Sequence, residues 1–446
     1  MKIKPFKFLK KRPFVAISLS LAIFLIFRAV SFTPVFSDET IYINMAKAIR
    51  KGLIPYKDFF YAHPPLQLFL LAPLTFFENF LLVKIFISLI GFSCLVLTYL
   101  ISQKIFKKEA ALITFFSFLF FPGFLIFGNL AIGTFEALFF FLLSFYLLLK
   151  KRFILSAVFL SFSIFTRYLV LLLTPFLIVY AFKESRKNFR NFLLSTFLSI
   201  LLFSIFFYST FGKNFLTYTI FYHLRANLEF NFEKTKEQYF LLGFFTIFIS
   251  ITSFFYNYLE KNHKILLFSL YPIFYDSILL IILKQPFYHY FAFSLPLVFI
   301  SFGFTIASAK QIFIRFFFLF ILISSIFSNF QSLDFYFNKN KNLIFEELTN
   351  YTLKNTQSDD LIFGTSIPTN YISFVTNRKI VNNYFDCDLK FVNFVGIEKI
   401  LKDIKEYKPK LIFADQFYLQ IFNEEYKVIK EWKILEDYSL FLMEKK

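Results

Sequence analysis

Cysteine is nearly missing from this chain: there are two in 446 residues, Cys94 within an apolar run and Cys387 near the end. That leaves no disulfide framework and no cysteine-based zinc site. Acidic residues are also scarce, but only over the first 330 positions, which hold 12 Asp+Glu against 32 Lys+Arg; from Gln331 onward the counts are 17 and 16. Charged residues make up 17% of the whole. No small-x-small cleavage site follows the first apolar run at Ser31–Asp38, so the basic stretch Lys2–Arg12 and the run from Phe14 read as a retained signal anchor. The tail has no glycine-rich nucleotide loop, and no halves with matching broken helices repeat along the chain, which counts against a transporter.

What the chain does have is apolar length. Hydrophobic residues reach 57%, and they come in blocks such as Ile113–Ile132, Phe192–Tyr208 and Phe291–Ala309. About 18 apolar residues suffice to cross a bilayer core. The 78 Phe residues fit an AT-rich coding bias and by themselves mark no binding surface. The basic residues fall in short loops between the blocks, where they set orientation, so nucleic-acid binding is excluded as the explanation of the +19 charge.

These loops predict eleven spans, near 14–32, 80–101, 110–127, 131–149, 153–166, 168–182, 192–208, 239–258, 265–283, 289–308 and 314–330. With that parity, 20 of the 32 basic residues before Gln331 lie on the side of the N-terminus. The positive-inside rule makes that side cytoplasmic, in a multi-pass protein of the cell membrane. Leu66–Phe77 is too short to span and contains Pro73, so it reads as an interfacial or re-entrant helix. The stretch 153–182 reads as two short spans around Arg167 or as one tilted span. The expected fold is thus an all-α polytopic domain over 1–330, with outer loops 33–79 and 209–238. A small extracytoplasmic α/β domain follows over 331–446. In it, Asp360–Gly364 and Lys410–Ala414 pattern as buried strands, and Val395–Tyr407 as an amphipathic helix with Ile397, Ile400, Leu401 and Ile404 on one face.

Candidate chemistry begins with Asp38 and Glu39, directly after the first span. An Asp before a helix is first of all an N-cap. A cap also fixes a carboxylate rigidly at the membrane surface, where it can take a proton from an incoming hydroxyl or amine. Gly52, Pro55, Tyr56, Asp58, His63, Pro64 and Pro65 follow; alone they read as turn chemistry, with the prolines imposing an extended entry to the next helix. Glu136, at the outer end of a span, is costly there unless paired or facing water. Arg167 and Asp276 are intramembrane by this topology, and Arg167 can snorkel from a span end.

The acidic pair, the A-x-x-I-x-x-G-x-x-P-Y-x-D stretch and the P-P-L entry to a hydrophobic helix resemble, taken together, membrane glycosyltransferases of the GT-C fold. More narrowly they are similar to the branch with dolichyl-phosphate-mannose protein mannosyltransferases and lipid A aminoarabinose transferases. Gly128–Glu136, the His223-Leu-Arg225 triplet and Tyr288-His289-Tyr290 through Pro296 resemble later motifs of that family, in order.

The resemblance implies a polyprenyl-phosphate-linked sugar donor, a lipid, glycan or protein acceptor, and a site at the outer leaflet among membrane lipids. It implies Asp38 as catalytic base with Glu39 assisting. It also implies His63, Glu136, His223, Arg225, Lys284, Tyr288 and His289 as donor-phosphate or substrate contacts. A divalent metal held by Asp38, Glu39 and Glu136 is an open alternative. His63 stands where many members have Lys, and Glu136 where many have Asp, which leaves the phosphate-binding cation unassigned. A flippase for a lipid-linked saccharide would share the span count. A polymerase or ligase acting on polyprenyl-linked sugars would lack the acidic pair.

Overall fold

Where no water reaches the backbone, an apolar segment must satisfy its own N–H and C=O groups, and a helix does so. The computed structural model of the protein describes residues 13–30, 37–225, 236, 244–283, 286–309, 311, 319, 323, 339–435 and 438–446, and most of them are helical. Among these residues, Phe80–Ile105, Arg186–Phe211 and His263–Ile282 are long and apolar enough to cross a membrane. Thr134–Leu149, Phe153–Thr166, Phe244–Leu259 and Leu295–Ser308 are shorter apolar helices. The expected span at 314–330 lies outside the described residues.

One expected span is interrupted, and one stretch read two ways is decided. The stretch 110–127 stops at Leu119 and restarts as the Pro122–Phe127 helix, because Pro122 holds Phe121 extended at φ −74°, ψ 128°. The stretch 153–182 breaks at Arg167, which is extended at φ −149°, ψ 121° between the Phe153–Thr166 helix and a 3-10 turn, Tyr168–Leu172. The two-segment reading around Arg167 therefore holds, with Thr174–Glu184 as the second helix, and the single tilted span does not. Arg167 does not snorkel either: it is buried and donates to the Ile132 carbonyl.

The chain divides into two compact units. The first comprises Met1–Ser31, Ile85–Ile205 and Leu228–Phe335; the second comprises Phe32–Lys84, Phe206–Asn227 and Tyr336–Lys446. In the first unit, helices approach closely through small and polar residues, as membrane helices do. A Cβ on Gly91 would lie 2.0 Å from the Gly128 carbonyl oxygen. Ser144 and Ser156 each donate to the other's carbonyl, at 2.7 and 2.8 Å, and Asn257 donates to Thr305 at 2.7 Å. The Arg186–Phe211 helix exposes Leu194, Phe197, Leu198, Leu201, Leu202 and Ile205, an apolar stripe suited to lipid.

The second unit carries the sheet. Strands β1 (Leu361–Gly364), β2 (Lys379–Ile380), β3 (Leu411–Ala414), β4 (Tyr426–Leu435) and β5 (Tyr438–Lys445) stand in the order β2-β1-β3-β5-β4. β1 pairs parallel with β2 and β3, while β5 runs antiparallel to β3 and β4. The two predicted strands are β1 and β3. The predicted helix is Ile397–Tyr407, with Ile400 and Ile404 fully buried. The hairpin of β4 and β5 has no counterpart in the expected pattern. Leu66–Phe77 is a short α-helix, Leu66–Leu71, running into a 3-10 turn, Ala72–Phe77.

Gly364 ends β1 at φ +143°, and a Cβ there would fall 2.1 Å from the Phe413 carbonyl oxygen of β3. Gly364→Ala is expected to destabilise the sheet by about 1–3 kcal/mol through overpacking and backbone strain. Thermal unfolding followed by near-UV circular dichroism checks this; an unshifted midpoint would contradict it.

Candidate active site

Successive helical residues point about 100° apart, so two neighbouring acids at a helix start cannot share one environment. Asp38 and Glu39 divide accordingly. Glu39, the first residue of the Glu39–Arg50 helix, is fully buried, and its Oε2 accepts from Lys84 Nζ at 2.6 Å, with both side chains 0% exposed. Asp38 takes the cap position at φ −60°, ψ −7°, is exposed, and makes no side-chain capping bond. The cap explanation of Asp38 thus loses its hydrogen bond. Glu39, expected to assist the base or bind metal, is committed to Lys84. Lys84 belongs to none of the motifs in the sequence, although a lysine near the start of a predicted span is itself a signal.

The same helix is held by a polar ladder. Thr40, Asn44, Lys47 and Lys51 recur at helical spacing on one face. They donate to the Ile367 carbonyl, Asn370 Oδ1, the Phe374 carbonyl and Asn377 Oδ1 at 3.1, 3.0, 2.6 and 3.1 Å. The acceptors recur likewise along the Ser366–Thr376 helix and its cap, so the two helices run parallel. Glu78 closes the end of the ladder, accepting from Arg50 at 2.8 Å and Asn377 at 2.6 Å and pairing with Lys47 at 3.4 Å. Burial lowers the Lys47 ammonium to about pH 8, with Glu78 opposing.

Beyond this helix the loop turns on itself. Asp58 Oδ2 accepts from the Ile54 N–H at 2.7 Å, and the Tyr56 hydroxyl donates to the His63 carbonyl at 2.6 Å. These residues of the P-Y-x-D stretch are thereby accounted for as turn chemistry. Tyr56 at φ +66° adopts the left-handed conformation that this tight turn requires.

His63 Nε2 lies 3.1 Å from the Tyr42 hydroxyl, and its ring stacks on His223 with centroids 5.6 Å apart. His223 Nε2 donates to the Ala62 carbonyl at 2.7 Å. The structure therefore brings together His63 and His223, which are 160 residues apart in sequence. It adds residues that the tail pattern never suggested. Lys390 approaches His223 Nδ1 at 3.3 Å, and Asp386 is half-buried. Burial, with the charges of Asp388 and Asp38 nearby, pushes the Asp386 carboxyl well above the usual range. Asp388 is a helix cap, accepting from the Phe391 N–H at 2.7 Å.

The remaining predicted residues lie elsewhere or beyond description. Glu136 is buried in the first turn of the Thr134–Leu149 helix, where its charge also suits the helix dipole. His289 lies in the 3-10 turn Tyr288–Phe293, packed on Phe127, Phe287 and Tyr290. Asp276, inside the His263–Ile282 helix, accepts from the Thr246 hydroxyl at 2.6 Å. Tyr288 begins that 3-10 turn and Arg225 ends the Tyr222–Arg225 helix; neither side chain is among those described, and Lys284 lies outside the described residues. Cys94 and Cys387 are buried free thiols. Among the described residues no three His, Cys, Asp or Glu side chains converge in a metal-binding arrangement. With Glu39 turned to Lys84, the metal alternative gains no ligand set from this geometry.

Two outcomes follow. Lys84→Met strands a buried carboxylate and is expected to cost about 3–5 kcal/mol, whereas Lys84→Met with Glu39→Gln recovers most of it. A double-mutant cycle on thermal stability measures this, and additive losses would contradict the pairing. For Lys47, the unfolded chain keeps a proton that the folded chain has released between pH 8 and 10.5. Stability relative to Lys47→Met is therefore lowest below about pH 8 and rises through that window. A flat difference between pH 7.5 and pH 10 would contradict the buried ammonium.

No family model matches the chain, and no curated protein matches it in sequence. Solved structures do match in shape. ArnT from Cupriavidus metallidurans, in the apo state, superposes with a TM-score of 0.69 at 11% identity, covering 96% of this chain and 98% of that one. The Archaeoglobus fulgidus oligosaccharyltransferase in its apo form gives 0.56 at 13% identity over 89% and 69%. The same organism's AglB, in complex with an inhibitory peptide and a dolichol-phosphate, gives 0.51 at 12% over 90% and 70%. Identities this low speak to architecture, and they do so over nearly the whole length of ArnT: the chain has the GT-C fold that it shares with ArnT and AglB.

Proposed function

We propose that the protein is an integral membrane glycosyltransferase. It moves a sugar from a polyprenyl-phosphate donor to a lipid, glycan or protein acceptor on the outer face of the membrane. The observation that carries this reading is the division of the acidic pair: Glu39 is buried against Lys84, while Asp38 is exposed on the anchored helix start. An exposed carboxylate on a rigid element is what a general base needs. The GT-C architecture supports it, since AglB was solved with an inhibitory peptide and a dolichol-phosphate, the latter of the lipid-phosphate class that this reaction would release. The eleven-span topology, with a cytoplasmic N-terminus and an outer C-terminal domain, belongs to the same proposal.

In the reaction, an acceptor hydroxyl or amine attacks the anomeric carbon as Asp38 takes its proton. The bond from that carbon to the phosphate oxygen breaks, and the polyprenyl phosphate leaves with the electron pair. One displacement inverts the anomeric configuration, and the phosphate needs no proton to depart. Cations facing the phosphate stabilise the charge that develops on it. His63, Arg225 and Lys284 are assigned to that end of the donor, with His223 as a substrate-site residue positioned beside them. Glu136, Tyr288 and His289 of the helical unit are assigned to substrate binding.

Transfer from polyprenyl-phosphate sugars in membranes tests the assignment. Asp38→Asn is expected to lower kcat by about 100- to 10,000-fold with donor KM nearly unchanged, the range for loss of a general base. Glu39→Gln is expected to lower protein stability more than kcat. Wild-type rates with Asp38→Asn would remove Asp38 from the reaction.

A further inference from the structure

Lys390 comes from the far end of the chain, yet its placement is closely determined. The Leu389–Val395 helix that carries it is pinned by aromatic rings from three segments. Phe60 of the first loop meets Phe391 at 4.9 Å and Tyr222 at 4.8 Å, and Phe394 meets Tyr222 at 5.1 Å and Tyr218 at 6.1 Å. Such ring pairs prefer tilted and edge-to-face geometries, which fix direction as well as distance. Lys390 then extends over the Tyr222 ring, with Nζ 4.6 Å from its centroid, a favourable place for a cation.

Its partner is equally fixed. The Ala62 carbonyl can only accept, so His223 Nε2 carries the hydrogen of that 2.7 Å bond and Nδ1 is left as an acceptor. Lys390 Nζ lies 3.3 Å from Nδ1 and donates to it. One N–H of the ammonium is thus held by a neutral ring and the other two are available to an incoming acceptor. Asp388 Oδ1 caps the helix at the Phe391 N–H, and its carboxylate, with that of Asp386, stands near the ammonium as a negative charge that a bound phosphate must displace or share. Asp386 is the neighbouring acid, with Oδ1 accepting from the Asp388 N–H at 3.4 Å. The stacked ring of His63 extends the same surface.

We infer that Lys390, held by His223 and the Tyr222 ring, is the cation that receives the phosphate of the lipid donor. The C-terminal segment, which no sequence motif tied to chemistry, then supplies part of the donor site. An ammonium with two available N–H groups, on an aromatic platform and beside a second imidazole, suits a phosphate oxygen. This inference rests on the transferase reading above for the identity of the anion.

Full-length protein in lipid nanodiscs, titrated with polyprenyl phosphate and separately with uncharged polyprenol, tests it without any turnover. The wild type is expected to prefer the phosphate, and Lys390→Met to lose that preference by at least about tenfold, one full hydrogen-bonded charge contact. Lys390→Arg is expected to retain it, and His223→Gln to weaken it by a smaller factor. An unchanged thermal midpoint for Lys390→Met shows that the loss is not one of folding; Lys390→Arg tests the charge even if that midpoint falls. If the wild type prefers the phosphate and both Lys390 variants do too, Lys390 is not the cation, while the transferase reading stands. If the wild type does not distinguish phosphate from polyprenol, both this inference and the lipid-phosphate donor are overturned.

Discussion

A carboxylate and an ammonium lie 2.6 Å apart with neither side chain exposed, Glu39 at the start of the Glu39–Arg50 helix and Lys84 at the start of the Phe80–Ile105 helix. Removing two charges from water costs several kcal/mol each, and mutual attraction offsets that only in good geometry. Such a pair contributes little net stability compared with an apolar one, but it tolerates no slippage. It therefore fixes the rotation of the Glu39–Arg50 helix, and with Glu39 turned inward the preceding carboxylate, Asp38, must face out. The ladder from Thr40 to Lys51 enforces the same rotation along the rest of the helix. Two acids adjacent in sequence are thus a buried, ion-paired residue next to an exposed one.

The stretch 217–225 and the tail are joined to the loop at Phe60 by aromatic contacts rather than by charge. Phe60, Tyr218, Tyr222, Phe391 and Phe394 interlock, and the polar side chains His63, His223 and Lys390 are carried on the same short stretches. A rigid apolar support with a few polar groups at its edge is a general way to hold a binding constellation to sub-ångström tolerance. It also gives the abundant phenylalanine a structural use here, though coding bias explains the number.

Much of the architecture was legible from the chain alone. Apolar length and basic loops announce a membrane protein of many helices, because hydrophobic thickness and charge asymmetry act on sequence directly. β1, β3 and the Ile397–Tyr407 helix were legible from burial pattern for the same reason. The break at Arg167 was among the two readings of 153–182, but the interruption at Pro122 was harder: a hydropathy run averages over a single residue that breaks a helix. Asp38, His63 and His223 were found through a motif. Lys84 could have been, since a cation inside an apolar run demands a partner. Lys390 and Asp386 could not, because their meaning comes only from contacts across more than 160 residues of chain, and neither periodicity nor spacing encodes such contacts.

The central claim is that the lipid donor is cleaved at its sugar–phosphate bond by a single displacement on this scaffold. The most direct measurement follows a radiolabelled polyprenyl-phosphate sugar of known anomeric configuration in proteoliposomes of the purified protein. The account predicts free polyprenyl phosphate in step with a glycosylated acceptor of inverted configuration. Intact donor recovered from the opposite leaflet, with its sugar still attached, would contradict it.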